Sequence, residues 1–125
     1  MSKFITKANC GNSPKAEFVK ELNKSFFQNN IPAIVGKLTD EVVWEMVGDK
    51  VIKGVQSIES HLSKLDGNKM EKFILETVIT HGKFASANGE FVIGGNMYKF
   101  CDMYEFSSHG KDAKICGVKS YVIKV

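Results

Sequence analysis

The chain has 125 residues, 43% hydrophobic and 25% charged, with 17 basic against 14 acidic side chains. That length suffices for a single domain over residues 1–125 with a real core, and the composition excludes a disordered or fibrous chain. No apolar run approaches the roughly 20 residues that span a bilayer, and the net charge of +3 is spread without a cluster, against a membrane or nucleic-acid partner. The stretch Met1 to Lys7 lacks an apolar segment of the signal-peptide kind, so a cytoplasmic location is expected. Cys10, Cys101 and Cys116 are odd in number and have no metal-type spacing. Free, reduced thiols and no metal site are expected.

Ser13-Pro14 starts a first helix, because serine caps and proline suits the first helical position. Phe18, Leu22 and Phe26 recur at four-residue spacing, with Val19 and Phe27 widening the stripe, and Gln28-Asn29-Asn30 ends it. Pro32 opens a short second helix carrying Ala33, Ile34, Val35 and Leu38. After Thr39-Asp40-Glu41, residues 42–47 read as a strand bearing Trp44, and Gly48-Asp49 turns the chain. Gly54 opens a third helix over residues 55–65, with Val55, Ile58, Leu62 and Leu65 on one face, and Asp66-Gly67-Asn68 breaks it.

The remainder reads as four strands. Residues 71–81 alternate around Phe73, Leu75, Thr77 and Ile79. Residues 84–93 carry Ala85, Ala87 and Gly89 on one face, where another element can approach closely. Residues 97–107 form a long aromatic strand, and residues 113–124 end the chain. Helices followed by an antiparallel meander predict an α+β architecture: three N-terminal helices packed on a bent, mostly antiparallel sheet.

The order and spacing of five pieces carry a family resemblance: Ile31-Pro32-Ala33-Ile34-Val35, Asp40-Glu41-Val42-Val43-Trp44-Glu45, Gly54, Phe100-Cys101-Asp102-Met103-Tyr104-Glu105-Phe106, and Lys114-Ile115 with Ser120-Tyr121. Together they resemble the SnoaL-like branch of the nuclear transport factor 2-like superfamily. The resemblance covers nearly the whole chain and implies a cone-shaped α+β barrel. It implies no single activity, since members include ketosteroid isomerases, polyketide cyclases, epoxide hydrolases, dehydratases and binding proteins. Ketosteroid isomerases place a carboxylate base where Met46 stands and a tyrosine donor where Leu22 falls, and Asp102 matches their second acid. Methionine cannot take a proton and leucine cannot donate a hydrogen bond, so that reaction is not expected. Ser120 stands where epoxide hydrolase members carry an acid, which argues against that reaction too.

Strand alternation places Asp102 with Phe100, Tyr104 and Phe106, so a desolvated carboxyl with a raised pKa is expected, and Asp102 is the candidate catalytic acid or base. The competing arrangement turns it outward or pairs it with a lysine. Leu22, Phe26, Trp44, Met46, Tyr104, Val118 and Ser120 are the candidate ligand-binding residues, with core packing as the competing role of each. His61 and His109 read as surface residues, and His81 as part of a turn. The glycines form no phosphate-binding pattern, and no cofactor is expected.

The expectation is a protein that binds a small, mostly apolar molecule between helices and sheet. An isomerase, cyclase or dehydratase using Asp102 with Tyr104 is one alternative, and a protein-interaction module another. Met97, Cys101, Met103, Tyr121 and Ile123 fall on the opposite sheet face, with Lys99 and Lys119 at its rim. Such an apolar face predicts a homodimer, unless Phe4 and Ile5 fold over it. Cys101 and Cys116 are expected on opposite faces, too far apart to bridge.

Overall fold

A computed structural model describes residues 2–9, 13–65 and 69–125. Cys10 and the expected helix break at residues 66–68 lie outside the described residues.

The first helix, α1 (Pro14–Gln28), begins where its cap predicts: the Ser13 side chain accepts from the Ala16 amide. It ends on Asn29 in the left-handed conformation (φ 55°), which asparagine tolerates better than most residues. Asn30 then caps α2 (Ile31–Val35) by accepting from the Ala33 amide. The third helix is α3 (Val55–Lys64).

Seven strands form one mixed sheet: β1 (Lys3–Thr6), β2 (Leu38–Met46), β3 (Lys50–Lys53), β4 (Met70–His81), β5 (Phe84–Ile93), β6 (Asn96–Phe106) and β7 (Ile115–Lys124), in the order β1-β4-β5-β6-β7-β2-β3. The sheet is α+β in class, with β1 and β3 as free edges, so it is open and does not close into the expected barrel. Four of the six pairings are antiparallel, while β1 joins β4 and β2 joins β7 in parallel.

The two edge strands were not foreseen. Each has four residues, too few for alternation to register against turn signals. β1 is held through its side chains as well as its ladder. Phe4 lies in register with Phe73 and stacks on it at 5.4 Å, with Phe27 at 5.7 Å. This anchoring leaves the outer face of β6 and β7 uncovered by Phe4 and Ile5. Residues 38–41 belong to β2, so Leu38 is strand core rather than part of the second helix.

Two bulges reset the expected alternation. Leu75 pairs with Gly89 and Thr77 with Asn88, so Glu76 is an extra residue on β4. Beyond it, Thr77 and Ile79 point outward, and Val78 packs against the core in their place. Likewise Glu105 pairs with Gly117 and Phe106 with Ile115, which makes Cys116 the extra residue on β7. Cys116 therefore leaves the interior face expected for it and borders an outer groove with Met103 and Glu105. Cys101 and Cys116 are both free thiols. Their separation comes from distance along the strands: Cys101 pairs with Tyr121, five positions from Cys116, roughly 16 Å of strand rise.

The first bulge depends on Gly89. A β-carbon there would collide with the Ile74 carbonyl and stand 3.1 Å from Cε1 of Phe100. Gly89→Ala is expected to destabilise the fold by about 1–3 kcal/mol, the usual cost of overpacking, read as a lowered urea midpoint at unchanged slope. A loss below about 0.5 kcal/mol would show that the bulge yields freely.

Candidate functional site

Between the inner face of the sheet and the helices lies a half-open cavity of about 240 Å³. Its walls come from every layer. Phe26 and Asn23 descend from α1, and Ile58, His61, Leu62 and Leu65 from α3 and its end. Trp44, Met46 and Ile52 come from β2 and β3, while Met70, Phe73, Phe91 and Phe100 come from β4, β5 and β6. Asp102, Ser120 and Val122 complete it. The aromatic walls brace one another: Phe26 meets Trp44 edge to face at 5.2 Å, and Phe73 lies 5.3 Å from Phe100.

Asp102 sits where alternation on β6 predicts, between buried Phe100 and Tyr104. Two hydrogen-bonding relays end on its carboxyl. In one, Asn23 Nδ2 donates to the Val19 carbonyl at 2.8 Å and to Tyr104 Oη at 3.3 Å, and Tyr104 Oη donates to Asp102 Oδ2 at 3.0 Å. In the other, Trp44 Nε1 donates to Ser120 Oγ at 3.0 Å, and Ser120, the register partner of Asp102 on β7, bonds the carboxyl.

Burial pushes the Asp102 carboxyl up to about 6, and the bonds from Ser120 and Tyr104 oppose that rise. The residue stays partly accessible because one side faces the cavity. Burial first, and then the adjacent carboxyl, hold the Tyr104 phenol well above its usual range, so it remains a donor. His61 is lowered by burial and by the nearby Lys50 and Lys64, which Asp49 partly offsets. Its imidazole is therefore neutral near pH 7.

Of the sequence-derived candidates, Phe26, Trp44, Met46, Asp102 and Ser120 meet around this cavity. Leu22 and Val118 do not line it, being fully packed in the core. Tyr104 is likewise core in its ring and reaches the site only through its hydroxyl. Asn23, one residue after Leu22, is the polar group α1 contributes. Its signal was present as an amide four residues after Val19 on an apolar stripe. His61, read as a surface residue, borders the cavity because α3 turns that side of its last turn inward. His81 and His109 are exposed and away from it. Among the described residues no three His, Cys, Asp or Glu side chains are grouped to hold a metal ion.

No family model matches this sequence, and no curated protein matches it. Its likeness is to solved structures. An "NTF-2 like protein of unknown function" from Burkholderia xenovorans LB400 superposes with a TM-score of 0.77 at 13% identity, over 91% of this chain and 86% of that one. The chain has the nuclear transport factor 2-like fold. A putative ketosteroid isomerase from Kribbella flavida shares that fold (TM-score 0.77, 10% identity, 90% and 79% covered). So does SalBIII, an epoxide hydrolase/cyclase-like enzyme with a role in pyran ring formation in polyether salinomycin (TM-score 0.72, 15% identity, 88% and 90% covered). One nuclear transport factor 2-like scaffold thus carries different chemistries, and the side chains of each cavity decide among them.

The raised carboxyl gives a pH dependence whose sign is fixed. With its folded pKa above the unfolded value of 3.8, Asp102 holds its proton more tightly in the folded state. Stability from this group is full below about pH 4 and falls as pH rises to about 6, by at most roughly 3 kcal/mol. Carbon-13 NMR should place the Asp102 midpoint near 6. Asp102→Asn should lack the fall and exceed the wild type in stability above that range. An ordinary midpoint near 3.8 would mean the carboxyl is solvated.

Proposed function

We propose that this protein binds a small, mostly apolar molecule in the cavity between its helices and sheet, in the manner of the SnoaL-like proteins its sequence resembles. The observation that carries this reading is the cavity itself: about 240 Å³ walled by aromatic and aliphatic side chains, with few polar groups converging at one place. A concave apolar space with a small number of placed polar groups is the usual form of a small-molecule site. Trp44 is the only tryptophan, so its emission reports on the cavity directly. Ile52→Phe, which projects a larger ring from β3 into the space, is expected to weaken binding of an apolar probe by about tenfold or more, measured by titration calorimetry with the fold verified by circular dichroism. Unchanged affinity would show that the probe binds elsewhere.

A second reading, catalysis by Asp102 as acid or base in an isomerisation, cyclisation or dehydration, draws on its titration near 6, close to a working pH. Against it, Met46 and Leu22 provide no second group for proton transfer.

We also propose a homodimer through the outer sheet face. Met103 (42% exposed), Tyr121 (45%) and Ile123 (67%) stand there on adjacent central strands, and the N-terminal strand lies at one edge of the sheet with β4 and β5 between it and β6. An apolar patch of this kind is seldom left to water, and a sheet face suits a self-complementary two-fold contact. Light scattering at micromolar concentration should give twice 13.9 kDa, and Met103→Lys should shift the mass toward the monomer, since an unpaired charge buried at an interface costs several kcal/mol. A wild-type mass of one chain would leave this face without its partner.

A further inference from the structure

The two relays that meet at Asp102 have a fixed polarity. The indole N–H of Trp44 can only donate, so its bond to Ser120 makes that hydroxyl an acceptor and frees its own hydrogen for Asp102. The Val19 carbonyl can only accept, which fixes the Asn23 amide with its NH₂ side toward Val19 and Tyr104. Tyr104 Oη, receiving from Asn23, passes its hydrogen to Asp102 Oδ2. Both chains therefore deliver hydrogens to the carboxyl, and neither offers a free donor to the cavity. What Asp102 presents to the cavity is acceptor capacity.

We infer that the ligand bound in this cavity is an apolar molecule bearing a hydroxyl group, and that Asp102 selects it as a hydrogen-bond acceptor against the matching ketone. The inference rests on the binding reading above and names its ligand class. A carbonyl oxygen facing an ionised carboxylate finds two acceptors opposed with no hydrogen between them, and an unpaired buried polar group is what makes such sites discriminate. A protonated amine would also donate. However, an ammonium would have to leave water for a wall that is almost wholly apolar apart from Asp102, so a neutral donor fits better.

The groups facing Asp102 are few: Tyr104 on its own strand, Ser120 on β7, and small Ala87 in register on β5. Asn23 on α1 reaches it through Tyr104, and Trp44 on β2 through Ser120. Among the described residues His61 is the other titratable group lining the cavity. When Asp102 is protonated it gains a donor of its own, and the preference for hydroxyl over carbonyl is lost.

Decalin, decalol and decalone share one carbon skeleton and test this by calorimetry on the full chain, with Trp44 emission as a second signal. At about pH 8, decalol should bind about tenfold or more tighter than decalone. At about pH 5 the ratio should fall to about one or invert, as the carboxyl takes up its proton. Asp102→Asn, which offers an amide N–H to the cavity, should favour decalone at both pH values. Decalone binding as tightly as decalol to the wild type at pH 8 would overturn the inference while leaving the binding reading intact. Failure of all three, decalin included, would overturn both. Because the wild-type pH comparison needs no substitution, the test holds even if Asp102→Asn folds poorly.

Discussion

A carboxylate taken out of water is the costliest group in this interior, and the fold around it is organised to bear that cost. Each hydrogen bond to a charged group returns on the order of 1.5–3 kcal/mol, against a desolvation penalty of several. Two such bonds reach Asp102, and they demand exact placement of five elements. The β6–β7 register must set Ser120 opposite Asp102, and the parallel β2–β7 pairing must bring Trp44 within reach of Ser120. α1 must lie close enough for Asn23 to touch Tyr104, which the small side chains of Ala85 and Ala87 on β5 allow.

Within the nuclear transport factor 2-like fold, this chain keeps an acid on the long strand and surrounds it differently from the isomerase pattern its sequence resembles. In that resemblance Met46 and Leu22 fall where the pattern has a base and a donor, and in the structure the tyrosine hydroxyl beside the acid comes from the acid's own strand, two residues on. A tyrosine that bonds the acid is spent on the protein rather than offered to a ligand. The same types of group, an acid and a phenol, thus present a different cavity wall when the phenol's hydrogen points to the acid.

The parts of this structure governed by local rules were legible in the sequence. Ser13-Pro14, Asn29 and Gly54 mark helix ends through capping and backbone preference, and those boundaries hold to within a residue. The central strands were equally local: residues 84–93 and 97–107 match β5 and β6 to within a residue. Asp102, Trp44, Met46 and Ser120 were placed correctly on one inner face because no bulge interrupts their strands between them and the residues used to set parity. Where a bulge intervenes, as at Glu76 and Cys116, parity fails, since an extra residue depends on the partner strand and not on local preference. Asn23 and His61 were missed for a related reason. Their inward direction follows from how each helix is rotated against the sheet, which only the assembled core determines.

The two parallel pairings have a consequence for how the chain assembles. β2 must wait for β7, some seventy residues later, and β1 must wait for β4. The meander from β4 to β7 closes through short turns and can form first, whereas the N-terminal helices and β2 have no sheet to lie on until it exists. High sequence separation of this kind slows folding, because loop closure must be completed before the contacts that reward it. During synthesis the Trp44 strand can pair at once with β3, but its other edge stays open until β7 leaves the ribosome, so the segment that walls the cavity carries an unpaired edge through most of chain emergence.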